Sequence, residues 1–251
     1  MRAKPRRNKA CDSRCCDAAT RLFRFVGLSV GSSRTRHPRL LLFWRYAPNT
    51  PAANGDTTEP LLQSLRYASS HAMDGYSEFI DRLLLNPGLL GKLLPSEPLS
   101  WELPGKIRDA TDAVLSGGKE IGDGKTFALV RGGLFYAVDA LDDAHRIFQN
   151  EPGDVGSYWH GMMHRREGDF DNARYWFRRA GRLPIFDRMH GAAANGSSNM
   201  AKQSSWDAYL LTGMCEQAKF GDVEAVSECV RLQRVEFDEL LNYCWRQSRL
   251  R

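Results

Sequence analysis

Tyr158-Trp159-His160-Gly161-Met162-Met163-His164-Arg165-Arg166-Glu167-Gly168-Asp169-Phe170-Asp171-Asn172-Ala173-Arg174-Tyr175-Trp176-Phe177-Arg178-Arg179-Ala180 is the stretch that decides the fold. Two runs at helical spacing flank a Gly-Asp turn, and Pro184 closes the unit. Glycine and aspartate suit a tight reversal, because one tolerates any backbone conformation and the other bonds its own main chain. Helices packed across so short a turn need small residues where their backbones approach, hence Gly161 on the first and Ala173 on the second. Phe177 lies one helical turn beyond Ala173 on the same face, where it fills the gap to a neighbour.

The unit is repeated. At an offset of 29 residues, Gly161, Phe170, Asp171, Ala173 and Phe177 fall on Gly132, Leu141, Asp142, Ala144 and Phe148. Gly213 opens a third register 52 residues on, with Ala225 and Cys229 at the same distances from it as Ala173 and Phe177 from Gly161. Self-similarity of this kind predicts stacked supersecondary units that bury their faces on one another.

This pattern resembles the tetratricopeptide repeat, matching its Gly, Gly-Asp, Ala, aromatic, Ala and Pro positions in the central unit. Asp139 stands where the first unit should have its turn glycine, and Cys229 where the third should have its aromatic residue. The central unit is also similar to bacterial and fungal proteins with a His-Arg-Arg-Glu-Gly-Asp core, which bring no activity with them. The resemblance implies an all-α chain of stacked helical hairpins, a fragment of an α-solenoid, with hairpins at about 125–150, 156–183 and 206–232. A final helix, Val235 to Gln247, would cap the stack, since exposed ends need a polar-faced cover.

The resemblance also implies a scaffold or adaptor that binds a protein or peptide on the concave face of the first helices. Counted from the repeat glycines, that face presents Tyr136, Tyr158, Met162, Arg165, Arg166 and Gln217. An acidic or carboxylate-ended peptide would suit its basic centre, Arg165 and Arg166. The arginines and aromatics of the central hairpin also leave RNA open as a partner, since guanidinium and ring planes stack on bases.

The alternative is an enzyme using a metal or a small molecule. His160 and His164 are four residues apart, so both rings lie on one helix face, the spacing of the paired ligands in zinc proteases. The glutamate that follows the first histidine there is replaced by Gly161, while Glu167 or His145 could supply a third ligand. No Gly-rich nucleotide loop, G-x-S-x-G elbow or C-x-x-C pair occurs, so no cofactor is expected.

Outward from the repeats, the 251-residue chain divides at about residue 58 into a basic tail and a helical domain, 59–251. The net charge of +5 conceals an asymmetry: residues 1–50 hold twelve Lys or Arg against Asp12 and Asp17, so the remainder is acidic. The high isoelectric point therefore belongs to the tail and does not mark the whole chain as a nucleic-acid binder. Arg-rich and turn-rich, the tail cannot offset the entropy of ordering and is expected to be disordered. Its Arg-rich, acid-poor start also fits a mitochondrial transit peptide, or sequence upstream of a start at Met73. The location expected is cytoplasmic, or mitochondrial if the tail is a transit peptide.

No apolar run approaches the roughly 20 residues that span a bilayer, so no membrane is expected as a partner. Cys215, Cys229 and Cys244 fall where helices bury small apolar groups and predict free thiols in a reducing compartment. Ahead of the repeats, Leu61, Leu62, Leu65 and Tyr67 predict one helix, and Phe79, Ile80, Leu83 and Leu84 a second that stops before Pro87. Pro95, Pro98 and Pro104 should break the chain, with Trp101 packing the loop onto the body. Ile107, Ala110, Val114 and Leu115 predict a further helix that ends at Gly117-Gly118. No stretch alternates with period two, so no strand is expected.

Overall fold

The computed structural model describes residues 75–194 and 196–250. The tail and the helix expected from Leu61 to Tyr67 lie outside the described residues. Within them the protein is all-helical, with no strand.

Two short helices, α1 (Glu78–Leu84) and α2 (Glu102–Asp109), precede a single-turn α3 (Asp112–Ser116). The first ends ahead of Pro87, and Gly117 stops the third in the left-handed region at φ 64°, both as the sequence predicts. Three details differ. Pro104 sits in the first turn of α2, where its missing N–H leaves no helical bond unmade. Ala110 is extended and Thr111 caps a new helix, so the run from Ile107 to Leu115 is split in two. Trp101 is 80% exposed and packs nothing down; Leu89, Leu90 and Leu93 are the loop residues that reach the core.

The repeats follow as α4 (Gly124–Ala137) with α5 (Leu141–Phe148), then α6 (Asp154–Glu167) with α7 (Phe170–Ala180). Each N-cap is chosen for its chemistry where a carboxylate is present: Asp123 accepts from the amides of Lys125 and Thr126, Asp169 from Asn172. The repeat glycines make notches for the repeat phenylalanines. A Cβ on Gly132 would lie 2.5 Å from Phe148, and one on Gly161 2.8 Å from Phe177, inside van der Waals contact. Asp139, standing at the turn-glycine position, adopts φ 62°, the counterpart of Gly168 at φ 84°. Its carboxylate accepts from Arg166 Nη2 at 2.6 Å, which holds a non-glycine residue in a region it seldom visits.

The insertion between the second and third units forms α8 (Phe186–Ala194) and α9 (Ser198–Ala201), and α10 (Ala208–Ala218) opens the last hairpin. Its partner differs from the expected layout. A single 25-residue helix, α11 (Val223–Gln247), replaces a repeat helix followed by a separate cap. No glycine or proline interrupts those residues, so nothing stops the helix once Asp222 has capped its start. Its second half runs back over the stack: Phe237 stacks on Tyr136 at 6.0 Å, Cys244 accepts from Trp159 Nε1 at 3.4 Å, and Leu241 lies against Gly133.

Candidate metal centre between the first two hairpins

The helix at the middle of the stack, α6, is buried on every side from Gly156 to Arg166. A helix so enclosed must find a partner for each polar side chain it carries, or lose the desolvation energy of that group. Tyr158 donates to Glu236 Oε1 at 2.7 Å and accepts from Trp206 Nε1 at 2.7 Å. Arg165 is fully buried and ion-paired with Glu236 on α11, donating to both its oxygens. Burial alone would lower its pKa; Glu236 more than reverses this and holds it above its ordinary value. Arg166 donates to Asp139, to the Tyr136 carbonyl at 3.0 Å and to the Lys92 carbonyl at 3.1 Å, and its guanidinium lies 4.9 Å from the Tyr136 ring centre.

These contacts overturn the open groove expected from the repeat register. Tyr136, Tyr158, Met162, Arg165 and Arg166 are all buried, and Gln217, the sixth residue of that set, is exposed at the end of α10 apart from them. The physical cause at Tyr136, Tyr158 and Arg165 is the length of α11, which lays Phe237 and Glu236 against them, whereas Arg166 is enclosed by Asp139 and the Lys92 and Tyr136 carbonyls. Its Glu236, followed by Phe237, Leu240 and Leu241, has the acidic centre and apolar flank that the groove's chemistry calls for. The ligand that suits this face is the chain's own C-terminal helix.

One polar side chain on α6 has no such partner. Both ring nitrogens of His160 are buried and make no hydrogen bond among the described residues. The ring stacks against His164 at 4.7 Å and against Trp176 at 3.9 Å, so only its edge is approachable. Facing it is His145 on α5, 4.7 Å away between ring centres and tilted by 60°. His145 is half-buried, which places the cluster just beneath the surface. The three imidazoles offer nitrogens that all lie within 4.8 Å of one another.

The surroundings of His160 favour its neutral ring. Burial, then the neighbouring His164 and His145, depress the pKa of His160 to about 3. It therefore presents a lone pair at any physiological pH, the form a metal ion requires. His164 is held differently. Its Nδ1 meets Glu167 Oε2 at 2.9 Å and its Nε2 meets the Asn172 amide nitrogen at 3.1 Å. This arrangement fits a proton on Nδ1 donated to the carboxylate, leaving Nε2 as the basic nitrogen. Glu167, one of two candidates for a third ligand, thus stands behind His164 as the group that orients it, and His145 is the candidate whose ring lies with those of His160 and His164.

The residues that sequence reasoning did not assign to this site are Trp176 and Asn172. A register relation in the repeat could have found the cluster itself. The residue after the repeat alanine of one unit faces the residue three beyond the repeat glycine of the next: His145 meets His164, with ring centres 5.2 Å apart, and Arg174 meets Glu216. Between the second and third units that contact is a plain ion pair, whereas between the first and second it is a set of imidazoles that make no pair of opposite charges.

The other basic residues of the central hairpin are dispersed. Arg174 also bonds Asp171 at 3.1 Å, Arg182 bonds Asp187 at 2.7 Å, and Arg179 lies over Trp176 at 5.4 Å. Cys215, Cys229 and Cys244 are buried free thiols, as their positions predict. No helix among the described residues is long and apolar enough to cross a membrane. Comparison with known proteins finds no matching family model, no curated protein and no solved structure similar to this chain.

Proposed function

We propose that the chain is a transition-metal protein in which His145, His160 and His164 hold a zinc ion at the seam between its first two hairpins. The observation that carries this reading is His160: an imidazole with both nitrogens buried and without a hydrogen bond among the described residues, packed against two other imidazoles. Leaving such a group unsatisfied costs on the order of 1–3 kcal/mol, whereas ligation satisfies it. Three histidines with no fourth protein ligand among the described residues are the donor set of catalytic rather than structural zinc, since structural sites are closed by four. The fourth position would take water, whose pKa the ion lowers towards neutrality, which is the basis of metal-assisted hydrolysis.

The fit requires a modest movement. Tetrahedral bonds of about 2.0–2.1 Å put ligand nitrogens roughly 3.3 Å apart, so the set must close from its present spread of up to 4.8 Å. His145 lies on the exposed side and can supply most of that closure by a rotamer change, while Asn172 yields Nε2 of His164. The adaptor reading loses its surface to α11, and an RNA reading loses Arg165 and Arg166 to buried ion pairs.

Cobalt substitution tests the assignment, because its spectrum separates nitrogen from thiolate ligation, and Cys11, Cys15 and Cys16 also lie in this chain. The full chain should bind one Co2+ per molecule with visible bands of tetrahedral type and no sulfur charge-transfer band. His160→Ala should remove it. Absence of Co2+ and Zn2+ binding, or bands that persist in His160→Ala, overturns the reading.

A further inference from the structure

On the opposite side of the central hairpin from the histidines, a cleft of about 380 Å3 opens between the end of α7, the start of α8 and the segment leading into α10. Its volume falls within the range of small-molecule sites. The walls are rings: Tyr158 and Trp206 form the buried floor, Phe186 one side and the half-exposed Tyr209 the other. The floor is rigid, because Trp206 Nε1 donates to Tyr158, and Tyr158 is itself bonded to the buried Glu236.

Two arginines stand in this aromatic setting with unequal commitments. Arg182 is anchored by Asp187 at 2.7 Å and Ser205 at 2.8 Å, with its guanidinium 6.0 Å from the Phe186 ring centre. Arg178 is exposed and has no hydrogen bond or ion pair among the described residues. The one carboxylate lining the cleft, Asp207, is spent on the amides of Tyr209 and Leu210 at the start of α10. A positive charge without an internal partner among the described residues therefore lines the same cleft as a set of aromatic side chains.

From this juxtaposition we infer that the cleft binds a small molecule made of a flat ring bearing a carboxylate or phosphate. The ring lies among Trp206, Phe186 and Tyr209, and the anion meets Arg178, with Arg182 beside it. Ring faces attract aromatic ligands by stacking and apolar burial. A guanidinium forks onto either anion with two parallel bonds, and Arg178 gives up no existing pair to do so. The inference is independent of the histidine centre, which uses the other face of the hairpin.

The probes are 2-naphthoate, 1-naphthyl phosphate and the neutral 2-naphthalenemethanol, titrated into the full chain with a chelator present and followed by calorimetry. At least one of the two anions should bind about tenfold or more tighter than the alcohol, and whichever binds tighter names the anionic group. Arg178→Ala, a change at an exposed residue that leaves the helical circular dichroism intact, should bring the anion down to the level of the alcohol. Arg182→Gln should weaken it less. Equal binding of all three probes, no binding at millimolar concentration, or an unchanged preference in Arg178→Ala overturns the proposal.

Discussion

His160 takes up no proton in the folded protein until the pH approaches 3, because burial and two neighbouring imidazoles oppose its charge. In the unfolded chain it titrates near its ordinary value, about 6.5. Its folded pKa is therefore depressed, and the unfolded state binds more protons between those limits. Stability from this group is complete above pH 6.5 and is lost progressively as pH falls below it towards 3. In metal-free protein the melting temperature should drop between pH 7 and pH 5, and His160→Gln should flatten that slope. A slope unchanged by the substitution would place the titrating group elsewhere. Glu236 is the other decisive residue, since it neutralises Arg165 at the centre of the molecule. Glu236→Ala leaves a guanidinium buried without its partner and should cost about 3–5 kcal/mol, measured by denaturant unfolding. Adding Arg165→Met to it should recover part of the loss, because the orphaned charge then disappears.

At the level of helices, the repeat glycines divide into two kinds. Gly132 and Gly161 accept the rings of Phe148 and Phe177 at distances that leave no room for a methyl group, whereas a Cβ on Gly213 meets nothing within 4 Å. Gly132→Ala and Gly161→Ala should each destabilise by about 1–3 kcal/mol through overpacking. Gly213→Ala should be neutral or stabilise by up to about 1 kcal/mol, as alanine favours a helix that has space for it. Thermal unfolding of the three variants checks the ordering, and equal losses at all three would contradict it. The difference explains why the third unit departs from the pattern: with Cys229 in place of an aromatic residue, no ring needs the notch at Gly213. In the first two units the glycine and the phenylalanine sixteen residues on are one feature, and the sequence shows both halves.

Across the whole described domain, α11 turns a stack of hairpins into a closed body. Its second half supplies Glu236 to Arg165, Phe237 to Tyr136 and Trp159, and Asn242 to the hydroxyl of Tyr76 near the other end of the described chain. A repeat array capped by a dispensable helix would survive its removal with an open groove. Here deletion of residues 235–251 should abolish cooperative unfolding, because it exposes the buried faces of α4 and α6 and strands the Arg165 guanidinium without Glu236. A truncated chain that keeps a sharp thermal transition and captures acidic peptides would restore the open-groove reading.

Local pattern determined the helices, the turns at Gly117 and Gly168, and the pairing of small residue with aromatic in the first two hairpins. These follow from contacts within a few residues or one helical turn, and such contacts are written in spacing. Spacing also put His160 and His164 on one face. It could not choose between His145 and Glu167 as the residue that joins them, or say that Arg165 and Arg166 would be buried. Those outcomes depend on which unit lies beside which, and on a C-terminal helix long enough to return across the stack. A sequence displays the charge and apolar content of a face, but whether that face meets solvent or the chain's own last helix is settled only when the elements pack.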